Sequence, residues 1–283
     1  MPELPEVEVA RRTIEPHLTG QTIVDATCRT ASLRAPLNPA LGTLLRDREI
    51  GAVTRRAKYL LIECRATASF RGTEKPHAGW LIIHLGMSGS LHLCPIGTPP
   101  GRHDHFDLVL PGQLLRLHDP RRFGIVVWHT GTNSDTSQLL AHLGPEPFDD
   151  GIDGNWLHQA LTRRHGPIKP ALMDNRLMVG IGNIYASESL FRSGISPLRG
   201  ANRISKERCA RLLDQIRATL TEAIDAGGSS LRDYVHTDGS SGCFQLAHLV
   251  YGRQDQPCVR CKSPIRKLTQ TGRSTYYCPR CQR

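Results

Sequence analysis

Four cysteines near the end of the 283-residue chain constrain its fold more than any other feature. Cys258-Val-Arg-Cys261 is followed, after sixteen intervening residues, by Cys278-Pro-Arg-Cys281. Two residues between cysteines let both thiolates of a knuckle reach one ion, and two knuckles close a tetrahedral site with no open position for a substrate. The spacing predicts one structural Zn²⁺ on Cys258, Cys261, Cys278 and Cys281, with paired disulfides or a redox dithiol as the alternatives. Between the knuckles, Lys267 to Tyr277 reads as strand, turn at Gly272, then strand. Arg273 falls at the tip, where a guanidinium is placed to grip a phosphate.

The same segment is basic. In residues 252–283 eight Lys and Arg face only Asp255, a net +7, which four thiolates on Zn²⁺ reduce to about +5. The whole chain carries +10 with His neutral, a balance that attracts polyanions such as nucleic acid or anionic lipid. Hydrophobic residues at 39% and charged residues at 22% supply a globular core and argue against extended disorder. No apolar run approaches the roughly 18 residues needed to span a bilayer, and Met1-Pro-Glu-Leu-Pro-Glu6 lacks the basic start and apolar stretch of a secretory signal. A cytoplasmic location is expected, and the scattered Cys28, Cys64, Cys94, Cys209 and Cys243 read as packing residues.

Periodicity divides the rest. From about 19 to 131, short apolar or alternating runs such as Tyr59–Glu63, Trp80–Leu85, Phe106–Leu110 and Gly124–Trp128 predict a β-sandwich or barrel. Before it, Pro5 to Leu18 reads as a helix, with Val7, Ala10 and Ile14 at helical spacing. After about 135 the pattern becomes helical: Trp156–Arg164, Ile168–Leu177, Asn183–Phe191 closed by Gly194, and Ser205–Ala226 closed by Gly227-Gly228. The last should bury Cys209, Leu212, Leu213, Ile216, Leu220 and Ile224 behind a Ser205 N-cap. The expected α+β organisation is an N-terminal β-sandwich domain (1–131), a helical domain (132–245) and a zinc-binding hairpin (246–283). Arg65 to His77 and Gly228 to Gln245 read as loops, the first exposed and the second mobile.

Met1-Pro2 carries chemistry of its own. A small second residue permits removal of the initiator Met, leaving a secondary amine at the terminus. An α-amine of pKa about 7.7–8.0 is roughly 10–20% neutral at pH 7, against about 0.04% for a lysine. Such an amine can attack a sugar C1′ and form an iminium.

Several motifs accompany it: Pro2-Glu-Leu-Pro-Glu-Val-Glu8, Arg56-Ala-Lys58, His84-Leu-Gly-Met-Ser-Gly-Ser90, Asp119-Pro-Arg-Arg-Phe-Gly124, Leu143-Gly-Pro-Glu-Pro147, Leu172-Met-Asp-Asn175 and Gly180-Ile-Gly-Asn-Ile-Tyr-Ala-Ser-Glu188. With the terminal cysteines, and in this order over essentially the whole chain, they resemble the bacterial formamidopyrimidine-DNA glycosylases. The resemblance implies a β-sandwich, a helix-two-turn-helix domain and a zinc finger, with double-stranded DNA containing oxidised purines lying between them. It implies a monomer that excises the base and cleaves on both sides of the abasic sugar, associated with the nucleoid through DNA.

Carried over residue by residue, Pro2 is the implied nucleophile, Glu3 the carboxylate acid/base beside the sugar, and Lys58 a contact to flanking phosphates that aids proton transfer. Glu6 has a supporting role. Asn183 and Arg273 form the implied phosphate-gripping pair, although Asn183 could equally serve as a helix cap. Met87, Arg121 and Phe123 match the trio that fills the gap left by an extruded nucleotide, with Arg121 hydrogen-bonding the estranged cytosine. Arg122 and His103 complete the implied DNA contacts. Arg232 stands where many relatives carry Lys in the loop that closes over the extruded base, and Cys243 lies among variable loop positions. The alternatives are an endonuclease VIII-like glycosylase for oxidised pyrimidines, disfavoured by Leu4 and the Met87/Arg121/Phe123 set, and a non-catalytic zinc-containing damage-binding protein.

Overall fold

The computed structural model describes residues 2–67, 78–229 and 248–283. Most of the loop expected over Arg65 to His77 lies outside the described residues, as do Arg232 and Cys243 and all but the root of the loop expected over Gly228 to Gln245. Leu4–Leu18 forms the first helix, α1, and buries Leu4, Val7, Ala10, Ile14 and Leu18. Pro5 sits in its first turn, where no intrahelical partner exists for the missing N–H.

Eight strands follow: β1 (Asp25–Cys28), β2 (Arg48–Arg56), β3 (Tyr59–Ala66), β4 (Gly79–His84), β5 (Ser90–Pro95), β6 (Asp104–Leu110), β7 (Gln113–His118) and β8 (Ile125–Thr130), with a short helix α2 (Leu41–Leu45) after the first. They pair antiparallel into two four-stranded sheets, ordered β2-β3-β4-β8 and β1-β6-β7-β5. Leu60, Ile62, Leu81 and Ile83 of the first sheet and Phe106, Leu108, Leu115 and Leu117 of the second share one core with the apolar stripe of α1. This is the sandwich that the alternating runs predict. Cys64 packs in that core, whereas Cys28 and Cys94 are only half-buried.

The helical portion contains α3 (Gly154–Thr162), α4 (Ile168–Leu172), α5 (Asn183–Arg192) and α6 (Lys206–Asp225). The predicted helix over Ile168–Leu177 stops five residues early. There the Asp174 side chain accepts the Arg176 N–H at 3.0 Å and pairs with Arg164 at 2.7 Å, offering the backbone an alternative to helical bonds. Ser205 caps α6 by accepting from Arg208 N, and Gly194 and Gly227 follow their helices at φ +68° and +76°. Ile224 lies only half-buried; Thr219 and Ala223 complete the stripe instead. The C-terminal hairpin pairs β9 (Arg266–Gln270) with β10 (Arg273–Tyr277) through Thr271 and Gly272, both at positive φ, as a two-residue type I′ turn requires.

The chain forms two compact units, one running to Ala141 and taking in the segment that begins at Gly227, the other built from His142–Ala226 and the C-terminal module. Among the described residues no helix is long and apolar enough to cross a membrane.

Candidate active site and nucleic-acid interface

In the first unit, the N-terminus of α1 is a knot of carboxylates. Pro2 is buried, and Glu3 is the N-cap, its side chain accepting from the third helical amide while its own N–H donates to Glu6 Oε2 at 2.8 Å. Both carboxylates are 1% exposed at the positive end of the helix dipole. The second oxygen of Glu6 accepts from Ser229 N at 2.8 Å, so one side chain ties the Pro2-Glu3 backbone to the root of the loop that follows α6.

Lys58 sits in the turn between β2 and β3, after Ala57 at φ +55°. That turn is tethered to α1: Arg55 donates to Ala57 O at 2.9 Å and pairs with Glu8 at 3.3 Å, and Glu8 also binds Arg11 and Arg12. Burial raises the Glu8 carboxyl, but hydrogen bonds from Arg11 and Arg12 and the charges of Arg11 and Arg55 outweigh it and hold the group below its usual value. His84, at the end of β4, packs against Tyr59 with ring centroids 4.8 Å apart and planes tilted by 57°. Burial, then the charges of Lys58 and Arg34, push its imidazole down to about 4. Its Nδ1 accepts from Gly86 N at 2.9 Å, so the neutral ring carries its proton on Nε2.

Gly86 opens the turn that carries Met87. A Cβ on Gly86 would lie 2.4 Å from the Phe123 carbonyl carbon, so the Met87 turn and the Arg121–Phe123 turn meet backbone to backbone. Met87 and Phe123 stand 37% and 41% exposed despite being apolar, and the Arg121 guanidinium lies 5.1 Å over the Phe123 ring. Arg122 is exposed with φ +56°. His103 lies half-buried beside His105 and His118, at 6.4 and 5.8 Å between rings.

In the second unit, Gly182 and not Asn183 is the N-cap of α5, so the Asn183 amide faces other partners. Its Oδ1 accepts from Lys169 Nζ at 2.5 Å and its Nδ2 donates to Tyr251 at 3.3 Å. Lys169, 1% exposed, also donates to Ser274 O at 3.1 Å and Thr275 Oγ1 at 2.8 Å, binding the start of α5 to the strand that begins with the exposed Arg273. Glu188, fully buried, accepts from the backbone N–H groups of Leu249, Val250 and Tyr251 at 2.8–3.0 Å.

The four cysteine sulfurs lie within 4.8 Å of one another, with Cys258–Cys281 at 3.9 Å and Cys261–Cys278 at 3.4 Å. Tetrahedral Zn–S bonds of about 2.3 Å separate sulfurs by about 3.8 Å, whereas a disulfide needs about 2.05 Å. The geometry fits one Zn²⁺ and no S–S bond.

Sequence reasoning passed over the residues that orient this machinery: Glu8, Arg55, His84, Lys169 and, in its anchoring role, Glu188. Glu8, His84 and Glu188 stand inside the motifs quoted above. Lys169 could have been noticed as a lone charge in the apolar run Ile168-Lys-Pro-Ala-Leu172.

Known proteins match this chain along its length. Residues 1–126 match the formamidopyrimidine-DNA glycosylase N-terminal domain, 143–235 the H2TH domain of the same enzymes, and 255–283 a zinc finger found in FPG and IleRS. A formamidopyrimidine-DNA glycosylase of Dechloromonas aromatica is 56% identical over 284 residues, covering all of both chains. The crystal structure of the MutM (Fpg) protein of Thermus thermophilus superposes with a TM-score of 0.84 at 38% identity, covering 99% of this chain and 98% of that one. A Lactococcus lactis Fpg variant in complex with Fapy-dG-containing DNA gives 0.86 at 32% identity, covering 99% of each. With its three domains matched in order and relatives this similar over their whole length, the chain belongs to the formamidopyrimidine-DNA glycosylase family.

Proposed function

We propose that in this chain the glycosylase and AP-lyase chemistry on oxidised purines in duplex DNA runs through Pro2, with Glu3 and Lys58 moving protons. The observation that carries this reading is the buried Glu3 carboxylate, immobilised one residue from Pro2 by a reciprocal capping box. It requires removal of Met1. The Pro2 nitrogen then attacks C1′ of the damaged nucleoside, forming the N–C1′ bond as the glycosidic bond breaks; the base leaves with the electron pair and takes up a proton from solvent, and the Pro2 nitrogen gives its N–H proton to Glu3. Glu3 protonates the sugar ring oxygen as the ring opens to the iminium. Loss of a C2′ proton expels the 3′ phosphate, loss of the C4′ proton then expels the 5′ phosphate, and water hydrolyses the iminium to release Pro2 and the sugar remnant.

Met87, Arg121 and Phe123 fill the gap in the stack and read the orphaned cytosine, while Asn183 and Arg273 grip the backbone, with Arg122 and His103 as further contacts. Zn²⁺ on Cys258, Cys261, Cys278 and Cys281 is structural and fixes the hairpin that carries Arg273. In this reading the chain works as a catalytic domain over 1–131, a helical domain over 132–245 and a hairpin over 246–283, in the cytoplasm and on the nucleoid.

Borohydride trapping on a duplex with 8-oxoguanine opposite cytosine, followed by mass mapping, tests the assignment. An adduct on Pro2 is the expected result. A folded, zinc-loaded protein that excises the base without a Pro2 adduct would refute it.

A further inference from the structure

Asp119 is a fully buried carboxylate with no role in the chemistry above. It follows β7 and opens the turn that carries Arg121 and Phe123, and each of its polar groups is used. Its N–H donates to His103 O at 2.8 Å, and its carbonyl accepts from Arg122 N at 3.2 Å and from His105 Nε2 at 3.1 Å. Oδ2 accepts from Gly124 N at 2.7 Å and Oδ1 from Ser88 Oγ at 3.3 Å. Among the described residues no cation bonds this carboxylate, so its two oxygens serve geometry and not charge pairing.

The two carboxylate contacts reach different loops. Gly124 closes the turn of Arg121 and Phe123, while Ser88 follows Met87 in the other turn. The backbones there leave no slack: a Cβ on Gly86 would meet Phe123 at 2.4 Å, and one on Gly124 would meet Asp119 Oδ2 at 3.0 Å. The exposed Met87 and Phe123 tips stand on a buried polar strap, so the chain's own hydrogen bonds hold the two turns together. Ordering two loops during binding would otherwise weaken it.

We propose that Asp119 is a positioning residue, strapping the Met87 turn to the Arg121–Phe123 turn through Ser88 and Gly124 so that the three side chains act as one preformed wedge that discriminates the base opposite the lesion. This rests on the reading of Met87, Arg121 and Phe123 given above.

The test compares Asp119→Ala, Asp119→Asn and Ser88→Ala with wild type and with Arg121→Ala. Single-turnover excision of 8-oxoguanine opposite cytosine and opposite adenine is measured beside strand cleavage at a preformed abasic site. Loss of the strap, in Asp119→Ala or Ser88→Ala, should cut the cytosine-over-adenine preference by about 5- to 10-fold, the weight of one or two buried hydrogen bonds, while abasic-site cleavage changes by less than about 2-fold. An amide at 119 can accept from Gly124 N and donate to Ser88 Oγ, so Asp119→Asn should keep most of the preference. If Asp119→Ala does not fold, Ser88→Ala decides. Unchanged preference in the strap variants while Arg121→Ala loses it would overturn the proposal alone, as would an Asn variant as impaired as Ala. Unchanged preference in Arg121→Ala itself would overturn the wedge reading and the proposal with it.

Discussion

The pairing of Lys58 with His84 gives a pH dependence whose sign and size follow from the structure. His84 titrates in the unfolded chain near 6.5 and in the folded protein at about 4, because burial and then the Lys58 and Arg34 charges disfavour its imidazolium. Above pH about 6.5 the ring is neutral in both states and costs nothing. As pH falls below that value the unfolded chain takes up a proton that the folded protein refuses, so stability is lost steadily until pH about 4, where the folded ring also titrates. The drop from 6.5 to about 4, at about 1.36 kcal/mol per unit, sets an upper bound of about 3 kcal/mol. Partial solvent screening of a half-buried ring brings the expected loss nearer 2 kcal/mol. Urea unfolding of wild type and His84→Asn, in which Oδ1 takes the place of the Nδ1 acceptor but does not titrate, should show wild type losing about 1 kcal/mol or more relative to the variant between about pH 6.5 and 5. The His84 ring proton resonance should titrate near the folded value, and Lys58→Gln should move that titration upward. Parallel stability curves, or a His84 titration indifferent to Lys58, would refute the placement of the Lys58 charge against this ring.

What the sequence made legible depended on how local the cause was. The cysteine knuckles, the turn at Gly272, the Ser205 cap and the apolar runs of β3, β4 and β6 are each written in a few consecutive residues, although Arg273, expected at the tip, is the first residue of β10 and pairs with Gln270. The family resemblance added the site residues because their motifs are also contiguous. The end of α4 is not legible in the sequence, because Met173 to Leu177 keeps a helical apolar pattern while the Asp174 side chain, reaching Arg176 N and Arg164, decides against it. β5 and β7 carry His92, Arg116 and His118 among their apolar residues, and Arg116 can be buried there because Asp107, from the neighbouring β6, accepts from it at 2.8 and 2.9 Å. Such partners lie outside any local window. Positioning residues were the least visible for the same reason: nothing beside Lys169 in sequence announces that its acceptors stand 14, 105 and 106 residues away.

Two further predictions concern the grip on the DNA backbone. Arg273→Ala should weaken duplex binding and, if one phosphate contact is lost, reduce the salt slope of log K by about 1 in fluorescence anisotropy; an unchanged affinity and slope would show that the hairpin tip is not a grip. Lys169→Met removes a buried cation whose three protons go to Asn183, Ser274 and Thr275, and a net destabilisation of about 2–4 kcal/mol is expected once the regained desolvation of the charge offsets part of the lost charge-assisted bonds. If, as proposed, Asn183 and Arg273 grip the DNA and Lys169 acts by aligning Asn183 with the strand that starts at Arg273, its effect on affinity should overlap with that of Arg273→Ala at equal zinc content. The double variant should therefore bind only slightly worse than the weaker single variant, and fully additive losses would mean that Lys169 stabilises the fold without aligning the grip.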